Sequence, residues 1–85
     1  VEINEMKLYP NPTSGIANLE ISLSKTSDVT VQVFNSAGIQ VFENQQNNVS
    51  ETTFQINLEN PAAGMYFVRV MTESQTLFER LMVSK

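Results

Sequence analysis

Nucleophiles are plentiful in this 85-residue sequence, but the groups that would activate them are missing. Serines and threonines recur along the whole chain, yet it contains no histidine and no cysteine. That removes the usual general base, the thiolate nucleophile and two common transition-metal ligands. A serine–lysine pair would have to use Lys7, Lys25 or Lys85, and nothing in the spacing asks for one. The carboxylates are eight glutamates and one aspartate, mostly at polar strand positions or in loops. A chain this short offers no deep cleft to raise one carboxyl pKa for glycosidic acid–base work. Catalytic, cofactor-binding and metal sites are accordingly all read as none, and the chain is not expected to be an enzyme.

Ligand binding fares little better. Thr26-Ser27-Asp28 and the 45–48 tract supply oxygens but almost no charge, so a solvated loop is expected there rather than a calcium site. Asn48-Val49-Ser50 matches an N-glycosylation triplet, a pattern common by chance. The net charge is −4 with only five Lys and Arg, spread along the chain, which argues against nucleic acid. No apolar run approaches the roughly 18 residues that span a bilayer, so no direct membrane insertion is expected. The first residue is not Met and no signal peptide is visible, which reads as a segment of a longer protein.

The elements that would position any of these groups are strands. Eighty-five residues make one domain, and an apolar fraction of 41% is enough for a single modest core. Turn residues cut the chain at short, regular intervals, the pattern of an antiparallel sandwich or barrel. A first strand over 5–9 ends at Pro10-Asn11-Pro12-Thr13-Ser14-Gly15. There two prolines fix φ twice and keep Asn11 out of the helical region, giving a stiff elbow. Ala17, Leu19, Ile21 and Leu23 alternate with polar residues, and so do Val29, Val31 and Val33, predicting strands over 16–23 and 29–34 with a polar loop between.

Asn35-Ser36-Ala37-Gly38 reads as a type I hairpin turn with glycine at the left-handed position. It leads to a strand over 39–43 and a polar connection over 45–48. Phe54, Ile56 and Leu58 point inward from a strand over 53–58. Glu59-Asn60-Pro61-Ala62-Ala63-Gly64 turns the chain. Tyr66, Val68 and Val70 form the inner face of the next strand, over 65–72. Its other face, with Met65, Phe67 and Met71, is apolar enough to be expected under a second sheet. Glu73-Ser74 lacks the residues of a good hairpin, and the last strand covers 76–83. The expectation is an all-β, seven-stranded antiparallel two-sheet sandwich, immunoglobulin-like and without a disulfide, with Leu19, Val33, Phe54, Tyr66 and Val68 in its core.

Taken as physics, Tyr9 with its Pro-Asn-Pro elbow is a stiff turn, and Gly64 and Tyr66 are turn and core. Taken together, the segments resemble a family. Leu8-Tyr9-Pro10-Asn11-Pro12-Thr13-Ser14-Gly15 resembles the opening Tyr-Pro-Asn-Pro motif of type IX secretion C-terminal sorting domains, type A. The stretch from Val31 through Gly38 to Val41 is similar to that family's middle hairpin. Pro61-Ala62-Ala63-Gly64-Met65-Tyr66 is similar to its Pro-Ala-Gly-x-Tyr strand, and Arg80-Leu81-Met82-Val83-Ser84-Lys85 to its closing strand. Arg80 stands where a lysine is common, Glu79 where another basic residue often appears, and Glu73-Ser74 lacks the usual glycine.

The resemblance implies a non-catalytic address tag at the C-terminus of an exported protein of a Gram-negative bacterium. It implies cargo that reaches the periplasm by a separate signal. There the outer-membrane translocon and a barrel-type shuttle protein recognise the folded domain. A cysteine-type sortase then cuts upstream of it, leaving the cargo at the cell surface or in the medium. The residues it nominates for recognition are Tyr9, Pro10, Asn11, Pro12, Gly38, Gly64, Tyr66, Arg80, Val83 and Lys85. No cofactor is implied, and the isolated domain is expected to be a monomer. A free edge on the last strand would suit docking by strand addition. The alternative is a fibronectin-like spacer or carbohydrate-binding module of an exported enzyme.

Overall fold

The computed structural model describes residues 2–59 and 61–84. Five strands make it up: β1 (Ile3–Tyr9), β2 (Ile16–Phe34), β3 (Gln40–Asn57), β4 (Gly64–Met71) and β5 (Thr76–Val83). No helix occurs among the described residues. All pairings between these strands are antiparallel, and all five strands belong to one sheet.

The unusual member is β2. Along one edge it pairs with β3 over most of its 19 residues. Along the other it pairs first with β1, through 18–23, and then with β4, through 30–34. A single strand can serve both neighbours only by bending between them, and the register shows how. From Ser22 to Ser27 five residues of β2 pass while β3 moves only from Glu51 to Val49. From Ser27 to Val29 the excess lies on β3, where Asn48 takes a left-handed φ of 55°. These are β-bulges, which add twist and bend a strand without ending it. Asp28 secures the second one by accepting the Asn48 N–H on its carboxylate at 3.1 Å.

The seven expected strands are therefore five. The polar tracts over 24–28 and 45–48 were expected to be loops, but they continue as bent strand. Burial explains the difference. Ala17, Leu19, Ile21, Leu23, Ser27, Val29, Val31 and Val33 are all buried, so the same face of β2 points inward on both sides of the bend. Lys25, on that face at the bend itself, is exposed. Polarity there marks the corner of a curled sheet, where the ladder to β3 skips from Ser22 to Ser27 while the strand itself runs on. The expected separation into two sheets is likewise replaced by one continuous sheet that curls around its core.

That core contains all five residues nominated for it: Leu19, Val33, Phe54, Tyr66 and Val68. Phe54 sits opposite Leu19 across β2 and β3, both fully buried, with Ile56 opposite Ala17. Among the described residues no second layer covers the outer face of β4, contrary to expectation. Phe67 is 39% exposed there, and Met65 and Met71 are half-buried.

The clear hairpin turn at 35–38 and the poorly signalled one at 73–74 both find side-chain supports. Asn35 accepts the N–H groups of Ala37 and Ile39 on its side-chain oxygen, each at 3.0 Å. Its own carbonyl accepts the Gly38 N–H at 3.0 Å, with Gly38 at φ 83°, the expected type I hairpin with a left-handed glycine. Between β4 and β5, Thr72 does the work that glycine was expected to do. Its Oγ1 accepts from Ser74 N and Gln75 N, while Thr72 N donates to Gln75 O at 2.8 Å. Threonine hydroxyls stabilise turns in this way without a positive φ.

Candidate functional site: one end of the curled sheet

The segments singled out by sequence meet at one end. β1 finishes there, β2 begins and finishes there, β3 does both, β4 begins and β5 finishes. Gly64 lies beside Val83 in the β4–β5 ladder, and Val83 lies beside Thr13 in a parallel bridge. Asn35 and Val41 line a shallow cavity with Leu58, Pro61, Ala62 and Tyr66, which places the middle hairpin against the 58–64 turn. Ser14 and Gly15 line another with Leu58, Glu59 and Pro61. The opposite end holds the two bulges of the bend, the Thr72 turn and the start of β1, where Ile3 N donates to Gln75 Oε1 at 2.7 Å.

The elbow lies along the outer edge of β5 and is bonded to it. Asn11 Nδ2 donates to Arg80 O at 2.8 Å, and Met82 N donates to Asn11 Oδ1 at 3.0 Å. One step further on, Thr13 N donates to Met82 O at 2.9 Å and Ser84 N to Thr13 O at 2.8 Å. The peptide bonds before Pro10 and Pro12 are both cis. Thr13 is buried, and its hydroxyl donates to Ile16 O and accepts Gly15 N at 3.2 Å. The Gly15 carbonyl accepts Leu58 N at 2.8 Å, tying the elbow to the end of β3. Sequence reading passed over Thr13. The available signal was a threonine two residues before glycine after a proline, the composition of a hydroxyl-supported turn.

This geometry corrects one expectation. β5 does end the pairing order of the sheet, but its last stretch, from the Arg80 carbonyl to the Ser84 amide, is covered by the elbow. Strand addition along the whole of 77–83 is therefore blocked while the elbow is docked.

The other nominated residues fall as follows. Tyr66 is buried, and its phenol donates to Ala62 O at 2.7 Å, which braces the turn ahead of β4. Gly64 adopts φ 142°. The Arg80 side chain is exposed, with Met82 close by on the same outer face and Phe67 across the ladder. Pro10 and Pro12 are exposed, and Val83 is buried. Gly38 is exposed at the tip of its hairpin. Lys85 and Asn60 lie outside the described residues.

Tyr9 is half-exposed, and its phenol donates to a Glu20 carboxylate oxygen. That hydrogen bond, then desolvation and the charge on Glu20, hold the phenol pKa above its ordinary value of 10.0. A raised pKa in the folded state favours the fold below about pH 10, and this contribution disappears as pH climbs through the folded value. Replacing Glu20→Gln should bring the Tyr9 pKa back down, as read by carbon NMR of the labelled ring. An unchanged pKa would show that the Glu20 contact does not persist in solution.

Among the described residues no group of three acidic, histidine or cysteine side chains converges as a metal site would require. No helix among them is long and apolar enough to cross a membrane. The decisive comparison is with protein families: the model of the secretion system C-terminal sorting domain matches residues 7–84. The chain belongs to the type IX secretion C-terminal sorting family. It is also similar to ulvan lyase NLR42 of Nonlabens ulvanivorans, 31% identical over 83 residues. That match takes in 96% of this chain and 15% of the lyase, so the chain spans about a seventh of that relative's length. The motifs that carry the family resemblance are thus the segments that the sorting domain gathers at one end.

Proposed function

We propose that this sorting domain is a non-catalytic signal at the C-terminal end of a longer exported protein. It directs that cargo through the type IX system across the outer membrane and is then removed by a sortase. The observation that carries this reading is the convergence of the elbow, the middle hairpin, the 58–64 turn and the end of β5 on one surface, built from the same segments the family match covers. The partners are the translocon, the shuttle protein and the sortase. The cargo passes through the periplasm and ends at the cell surface or outside the cell. Tyr9, Arg80 and Lys85 are the residues that present the signal, with Asn11 and Val83 holding the end of β5 in place behind them. Pro10, Pro12, Gly38, Gly64 and Tyr66 shape it.

The start of β1 lies at the far end of the molecule, beside Gln75. Cargo attached ahead of residue 1 would leave the gathered motifs uncovered. The alternative, a carbohydrate-binding module, is not favoured. Phe67 and Phe78 are exposed on the same outer face, but Arg69 and Arg80 stand opposite them in the ladder, breaking up an aromatic platform. Binding of the domain to a polysaccharide array, with reporter export unaffected by its removal, would reverse that ranking.

Removing Ser84 and Lys85 separates signal from fold. Ser84 is exposed, yet its amide is bonded to Thr13, so the truncation should cost about 1 kcal/mol, one hydrogen bond, rather than nothing. Export of a fused reporter should nevertheless fall sharply. Normal export would place recognition elsewhere on the domain. A large drop in melting temperature would reduce the effect to loss of fold.

A further inference from the structure

The outer edge of β5 carries a row of peptide groups facing away from β4. From 80 to 84 these are Arg80 O, Met82 N, Met82 O and Ser84 N, and each has a partner in the elbow. Two of the four partners are backbone atoms of Thr13. The other two belong to the Asn11 side chain. The backbone alone is ill suited to this task, because Pro10 and Pro12 have no N–H to donate. A carboxamide carries a donor and an acceptor in the planar arrangement of a peptide unit. Aspartate offers no donor, leucine offers neither group, and glutamine is one methylene too long for the same register.

We propose that Asn11 is a positioning residue of the sorting signal: its carboxamide stands in for a peptide unit and latches the elbow onto the outer edge of β5. The latch fixes the chain end in one conformation. It also joins the two most separated segments of the family match, residues 9–15 and 80–84, into one surface. Without it, Met82 would present an unpaired amide and the last residues would fray, as chain ends do when nothing ties them down. The link from latch to export rests on the sorting function proposed above. The latch itself does not.

The test combines residue-level amide exchange by NMR with reporter export. The variants are Asn11→Leu, which removes both hydrogen bonds at similar volume, and Asn11→Asp, which keeps the acceptor for Met82. In Asn11→Leu the amides of Met82 and Ser84 should exchange roughly tenfold faster, about the worth of one or two net hydrogen bonds. Leu81 and Val83, whose amides face β4, should keep their protection. Asn11→Asp should fall between Asn11→Leu and the unaltered domain at Met82. Export should decline in the same order.

Thr72→Val, which loosens the turn at the opposite end, serves as the stability control and should export normally. Unchanged exchange at Met82 in Asn11→Leu would overturn the latch. Faster exchange with undiminished export would overturn its role in the signal, and so would an equal export loss in Thr72→Val. If the unaltered segment itself fails to promote export, the sorting reading falls, while the exchange rates still decide the latch.

Discussion

Phe54→Ala should lose about 3 to 5 kcal/mol of folding stability, the usual cost of emptying a fully enclosed aromatic site. Phe54 is entirely buried and lies opposite Leu19, near the midpoint of the first half of the curled sheet. Its neighbours are held by the β1–β2–β3 ladders, so they have little freedom to collapse into the vacated volume. A domain of this size has only about 5 to 15 kcal/mol in all. The variant should therefore unfold at markedly lower urea concentration with an unchanged dependence on denaturant. A loss under 1 kcal/mol would mean that the core is not closed around this side chain. A reporter fused to this variant should also be exported less well, because the segments of the signal are brought together only by the fold.

Gly64→Val should cost about 1 to 3 kcal/mol through the backbone alone. At φ 142° a side chain is strained, yet a Cβ built at this position would meet nothing within 4 Å. The penalty is therefore conformational and not steric. Gly64→Ala should cost nearly as much as Gly64→Val, whereas a packing clash would separate the two. Thermal melts of the pair decide between these. Gly64 lies beside Val83, which lies beside Thr13, so displacement of the start of β4 should also loosen the elbow. Export should fall with stability in both variants. A stable Gly64→Val domain that is exported normally would show that this end tolerates rearrangement.

How much of this was legible in the sequence depends on which face a residue occupies. Period-two alternation found every buried position of β2 from Ala17 to Val33 except Ser27, because apolar side chains at alternate sites have one reasonable destination. It could not follow the strand through Ser24-Lys25-Thr26, where the curl leaves both faces of the ribbon near water and polarity no longer distinguishes strand from loop. The same holds for β3 over 43–51, which pairs with β2 and carries mostly polar side chains. The outer face of β4 was misassigned for the opposite reason. Phe67 and Met65 have core-like side chains, but composition does not tell whether a second layer exists to cover them.

At the site, sequence nominated the elbow and the last strand separately, and their contact is a tertiary fact. Asn11 and Arg80 are 69 residues apart, and no local pattern reports that a side-chain amide at one meets a carbonyl at the other. Thr72 and Thr13 were missed because a hydroxyl that supports a turn looks, in sequence, like any other polar loop residue.

The central claim is that this segment carries the information that takes a protein across the outer membrane. The most direct measurement is the fraction of an inert reporter that added protease can remove from intact cells, together with the fraction found in the medium. The host is a Gram-negative strain with the type IX machinery, and the reporter carries an inner-membrane export signal with or without residues 1–85. The expected result is a reporter that is surface-exposed or released only when the segment is present and the translocon intact, and periplasmic otherwise. Equal surface exposure without the segment, or undiminished exposure in a translocon mutant, would contradict the claim.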